Sequence, residues 1–143
     1  MSINFPEKAK ELYLGGYACS EAVMHAARDV GLVEIPEELL KVSTGFLAGI
    51  GHNRCLCGAL AAGVMIISLE YGRADKNQSK DSADKKCSVA YKKFTDKFGS
   101  SCCKEIASFP RCSAEFLDPK RRLYCADVVK SAAEIIEEVI ERK

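Results

Sequence analysis

Along most of the chain apolar residues recur at three- and four-residue intervals, the spacing of helices that bury one face. Residues 4–14 read as a first helix, with Pro6 in its first turn and Gly15 and Gly16 ending it. A second covers 18–30, with Gly31 placed just past its end. A third starts at Pro36 and fades into the glycine-rich stretch GFLAGIG at 45–51. A fourth, largely apolar, spans roughly 57–71 and stops at Gly72.

The polar run RADKNQSKDSADKK at 73–86 reads as a solvated loop, followed by a fifth helix ending at Phe98 and Gly99. Residues 101–108 suggest a short helix closed by Pro110, and a last helix runs from about Pro119 to the C-terminus. No alternating strand longer than a few residues and no internal repeat stands out. The expected fold is all-α: a single-domain bundle of about five to six helices over residues 1–143.

Composition narrows the function classes. With 21 basic and 20 acidic residues the net charge is +1, which gives no electrostatic case for nucleic acid. The apolar run 59–69 is shorter than the roughly 20 residues needed to span a bilayer, so no membrane insertion is expected. The first 16 residues lack a basic segment followed by an apolar one, so a cytoplasmic protein is expected. Eight cysteines then become the anomaly: 19, 55, 57, 87, 102, 103, 112 and 125. In a reducing compartment they favour metal binding or thiol redox chemistry over structural disulfides.

Cys125 shares a helical stripe with Val128, Val129, Ala132, Ile135, Ile136 and Val139, and Cys19 shares one with Ala22, Val23, Ala26 and Val30. Cys87 lies in register with Tyr91, Phe94 and Phe98. Each alone reads as a small buried residue. Position says more: Cys19, Cys57, Cys102/Cys103 and Cys125 fall near helix starts, where free N–H groups and the helix dipole favour a thiolate. No C-x-x-C, C-x-x-C-H or ferredoxin spacing is present, which disfavours a zinc ribbon, a thioredoxin-type pair, c-type haem attachment and the standard ferredoxin sites. A four-sulfur site would have to be built from distant segments.

Four stretches carry a resemblance: YACSEAV (17–23), TGFLAGIGHNRCLCGALAAG (44–63), KFGSSCCKEI (97–106) and YCADVVKSAAEII (124–136). With them nearly the whole chain resembles the redox-active family written C-GCAxxG-C-C, defined by four widely spaced cysteines and a Cys-Gly-Ala-x-x-Gly motif. The resemblance implies Cys19, Cys57, Cys103 and Cys125 as the redox set, Cys103 being preferred to Cys102 because a charged-charged-aliphatic triplet follows it. The motif's last glycine falls on Ala62, with Gly63 one place later. That departure is mild if the glycine serves helix approach, and bears on the site if a cofactor uses the room. Related domains joined to haem-binding segments in cytochromes point toward electron transfer.

Three readings stay open. In the first, the four cysteines ligate an iron–sulfur cluster for electron transfer or redox sensing, with backbone N–H groups of the 45–58 stretch tuning it. In the second, the same thiols cycle as disulfides without metal, making the chain an oxidoreductase, with the adjacent Cys102 and Cys103 and the close pair Cys55 and Cys57 as resolving thiols. In the third, zinc or no metal stabilises a structural interaction module. A redox partner protein is implied, and a homodimer is compatible with the pattern. His52 is a metal ligand or, more simply, a loop residue, and His25 a satisfied or exposed one. Cys87 and Cys112 read as packing residues, and Arg121 and Arg122, at a helix start, as contacts for an acidic partner.

Overall fold

The computed structural model describes residues 4–107 and 119–141; Cys112 and the expected stop at Pro110 lie outside them. The described residues form seven helices in chain order: α1 (Phe5–Leu14), α2 (Cys19–Asp29), α3 (Glu37–Thr44), α4 (Gly58–Tyr71), α5 (Asp81–Phe98), α6 (Cys103–Ile106) and α7 (Pro119–Glu141). Six are full helices and α6 is a single turn, so the all-α expectation holds. No described helix is long and apolar enough to cross a membrane.

Local chemistry sets the ends. Asn4 caps α1 by accepting the Glu7 N–H at 2.9 Å, which satisfies one of the free amides of the first turn. Glu21 caps α2 from inside, its Oε1 accepting the Ala18 N–H at 3.0 Å. The polar run expected to be loop through residue 86 turns helical at Asp81. Ser79 Oγ accepts the Asp81 N–H at 3.2 Å there, and Asp81 and Asp84 suit the positive end of the dipole. A polar composition does not exclude a helix whose first turns are solvated.

The central helix is α4, which packs on α2, α5 and α7, while α1 packs on α2 and α7. Gly58 through Gly63, Ile66 and Ile67 are buried, whereas Ser68, Leu69 and Glu70 near its C-terminal end are exposed. The inward stripe of α7 is as read: Val128, Val129, Ala132, Ile136 and Val139 are buried. At Gly63 the α4 backbone meets α7 so closely that a Cβ would stand 2.7 Å from Ile136 Cγ1. The close approach therefore belongs to Gly63, and Ala62, fully buried, is a core residue. On α5, Phe94 and Phe98 are buried whereas Tyr91 is exposed, so the stripe shared with Cys87 is only partly inward.

Candidate functional site

The N-terminal ends of α2 and α4 meet at Cys19 and Gly58. A Cβ on Gly58 would lie 2.6 Å from Cys19 Sγ and 2.8 Å from the Phe46 carbonyl oxygen. The glycine that follows Cys57 in the motif is thus the gap into which the Cys19 sulfur fits. Burial pushes the Cys19 thiol pKa up, while the N–H groups of Ala48, Ser20 and Gly58 pull it down by favouring the thiolate. Cys57, the N-cap of α4, is pushed up to about 12 by burial, against the opposing pull of the Leu60 and Ala59 amides.

Between α3 and α4 the backbone does something the sequence reading missed. Ala48, Gly49, Ile50, Gly51 and His52 all have left-handed φ (44°, 75°, 70°, 55° and 65°), and Arg54 follows at 57°. A left-handed conformation costs a non-glycine residue about 1–2 kcal/mol, so the turn is held by its surroundings. Its own bonds include Gly51 N–H to Gly45 O at 3.0 Å, Arg54 N–H to Ala48 O at 2.9 Å and Cys55 N–H to Gly49 O at 2.9 Å. The result presents Leu47, Ala48 and His52 to the thiols. The only available signal was the density of glycine in GFLAGIG.

Segment 54–57 then runs against 101–104. Leu56 and Cys102 form an isolated antiparallel bridge. Cys57 N–H donates to Ser101 O at 2.8 Å, Cys103 N–H to Cys55 O, and Lys104 N–H to Arg54 O at 2.9 Å. The bridge separates the two neighbouring cysteines: Cys102 Sγ reaches the Arg54 carbonyl at 3.3 Å, whereas Cys103 faces the cavity described next.

Cys19, Cys57, Cys103 and Cys125 line one cavity of about 360 Å³, together with Tyr13, Glu21, His52, Arg121 and Arg122. Arg121, one turn before Cys125 on α7, donates from Nη1 to its sulfur at 3.4 Å. The Cys125 thiol is still held above its usual range, because burial outweighs that guanidinium. Arg122 closes the α1 side, donating to Tyr13 O at 2.9 Å and Leu14 O at 3.1 Å. The Tyr13 phenol is pushed well above its normal range by burial, with the thiolates of Cys125 and Cys19 adding to the effect.

All described cysteines are free thiols. Among the described residues no three His, Cys, Asp or Glu side chains converge tightly enough to hold a single metal ion. Cys55 is exposed, and Cys87 lies half-buried away from the cavity, where Ser68 is its hydrogen-bond partner. His25 stacks on Tyr17 with ring centroids 4.4 Å apart. Tyr13 and Arg121 were not singled out as cavity residues by the sequence; an arginine four residues before a cysteine on one helix was the signal for the second.

No curated protein and no solved structure matches this chain. A family model described as "Putative redox-active protein (C_GCAxxG_C_C)" matches residues 17–139, and the chain belongs to that family.

Proposed function

We propose that the four-cysteine cavity holds an iron–sulfur cluster on Cys19, Cys57, Cys103 and Cys125, and that the domain transfers electrons or senses redox state with it. The observation that carries this reading is that these four thiols, from four separate segments, line the same cavity. The cluster would supply one-electron chemistry; the chain supplies ligands, charge balance and shielding from water.

Two features favour a cluster over the alternatives. A single tetrahedral ion with bonds of about 2.3 Å draws its sulfurs to within about 3.8 Å of one another. No such tight group exists among the described residues, and the cavity of about 360 Å³ that the four thiols line has room for a polynuclear group. Thiol–disulfide exchange needs a thiolate nucleophile, but burial raises the pKa of Cys19, Cys57 and Cys125. A metal displaces those protons on binding, so the same burial that makes the thiols poor nucleophiles leaves them able to ligate.

Charge supports the assignment. Four thiolates bring four negative charges, and the Arg121 and Arg122 guanidinium groups and the amides opening α2 and α4 surround them. The test is anaerobic purification of the full chain, with a visible spectrum and iron, sulfide and zinc assays. Charge-transfer absorption with iron and acid-labile sulfide is expected. Colourless protein without either, or with one zinc per chain, overturns the reading.

A further inference from the structure

The bridge at Leu56 and Cys102 puts a second cysteine beside the cavity set. In an antiparallel pair, flanking residues lie directly opposite each other, so Cys55 faces Cys103 as Cys57 faces Ser101. The Cys103 N–H to Cys55 O bond marks the first pair as the hydrogen-bonded kind, with Cα atoms about 5.5 Å apart. That separation lies inside the range of about 4.4–6.8 Å spanned by disulfides. The pair makes only one of its two ladder bonds, because the Cys55 N–H is spent on Gly49 O. Residues 55, 57, 101 and 103 share one side of this ladder, and Leu56 and Cys102 share the other. Cys57 and Cys103 reach the cavity from that side, and Cys55, on the same side of the ladder, is an exposed thiol.

We propose that Cys55 and Cys103 form a regulatory disulfide under hydroperoxide stress, with exposed Cys55 reacting first and Cys103 resolving it. The Cys55 sulfur attacks the peroxide, the O–O bond breaks, and a sulfenic acid forms with release of one water. The Cys103 sulfur then displaces the hydroxyl as a second water. In total two thiols and one hydrogen peroxide give one disulfide and two waters, the thiols losing two electrons and supplying the two protons. This rests on the cluster reading only in treating Cys103 as a ligand. Forming the disulfide withdraws that ligand from the cavity, so oxidation and cluster release are one event. Cys102, on the other side of the bridge with its sulfur on the Arg54 carbonyl, does not take part.

The anaerobically purified full chain is treated with one equivalent of hydrogen peroxide, alkylated, cut with trypsin and mapped by mass spectrometry, with iron release followed in parallel. The expected product joins peptide 55–73 to peptide 98–104. It persists in Cys57→Ser and Cys102→Ser and is lost in Cys55→Ser and Cys103→Ser. Cys55→Ser, which keeps every cavity cysteine, is expected to load iron like the parent and to release it more slowly under peroxide. Cys103 that stays alkylatable, or that pairs with any other cysteine, overturns the proposal. Loading of iron and sulfide without this link sinks the switch and leaves the cluster; the link in a chain that never loads supports the switch and sinks the cluster.

Discussion

Gly58→Ala is the sharpest perturbation of the site that leaves every thiol in place. The added methyl would sit 2.6 Å from Cys19 Sγ, 2.8 Å from Phe46 O and 3.3 Å from Ser20 Cβ. Phe46 O is backbone entering the left-handed turn, and it also accepts the Ile50 N–H, so it cannot retreat without moving the turn. Helix propensity alone would make alanine better by up to about 1 kcal/mol. Overpacking a filled site costs roughly 1–3 kcal/mol, and here two of the three contacts are shorter than any ordinary approach. The net expectation is a loss of about 1–2 kcal/mol, read as a lower urea midpoint by far-UV circular dichroism at unchanged slope.

Because the methyl pushes on the Cys19 sulfur, iron and sulfide loading should fall much further than stability. Gly45→Ala is the control. Gly45 has an ordinary φ and open space where its methyl would go, with nothing within 4 Å, so the change should be neutral or stabilising by about 0.4–1 kcal/mol. Adding Cys19→Ala to Gly58→Ala removes one clash and should recover part of the lost stability, a coupling that a double-mutant cycle measures. Gly58→Ala with parental stability and full loading would refute the reasoning that this glycine makes room for the sulfur.

Other outcomes follow from the same geometry. Burial holds Cys57 near 12 in the folded chain, against a reference of 9.0, so the metal-free protein binds the extra proton between those values. Its stability should be fully present below pH 9 and fall as pH rises toward 12, by at most about 4 kcal/mol from this group; Cys57→Ser should flatten the urea-midpoint profile over that window. Arg121→Met removes the donor to Cys125, so the pH profile of Cys125 alkylation should move up, and the loaded protein's reduction potential should fall. Ile50→Gly relieves a left-handed β-branched residue that is 45% exposed, and should raise stability by about 1 kcal/mol in chemical denaturation.

Much of the bundle is legible in the sequence because its helices carry one-sided apolar stripes and readable ends. The buried face of α7, the burial of the N-terminal half of α4 and the end of α1 at Gly15 follow from residue spacing and stop residues. Helix starts also marked Cys19, Cys57, Cys125 and the pair Cys102/Cys103, and the family resemblance chose Cys103, which with the other three lines the cavity. What periodicity could not carry is the part built between elements. A run of left-handed residues at 48–52 has no repeating signature, and two of its members, Ala48 and Ile50, argue against it by propensity. The bridge at Leu56 and Cys102 depends on two segments meeting in space, so the physical cause that turns Cys102 away from the cavity and Cys103 toward it appears only in the fold. Tyr13 reads as one core residue among many until the Arg122 contact brings α1 against α7.

The most direct test of the central claim is iron and sulfide content, measured after anaerobic reconstitution, across single cysteine-to-serine variants. Loading should collapse in Cys19→Ser, Cys57→Ser, Cys103→Ser and Cys125→Ser, and persist in Cys87→Ser and Cys102→Ser. Equal loading across all six, or loss confined to Cys87→Ser or Cys102→Ser, would contradict a cluster held by the four cavity cysteines.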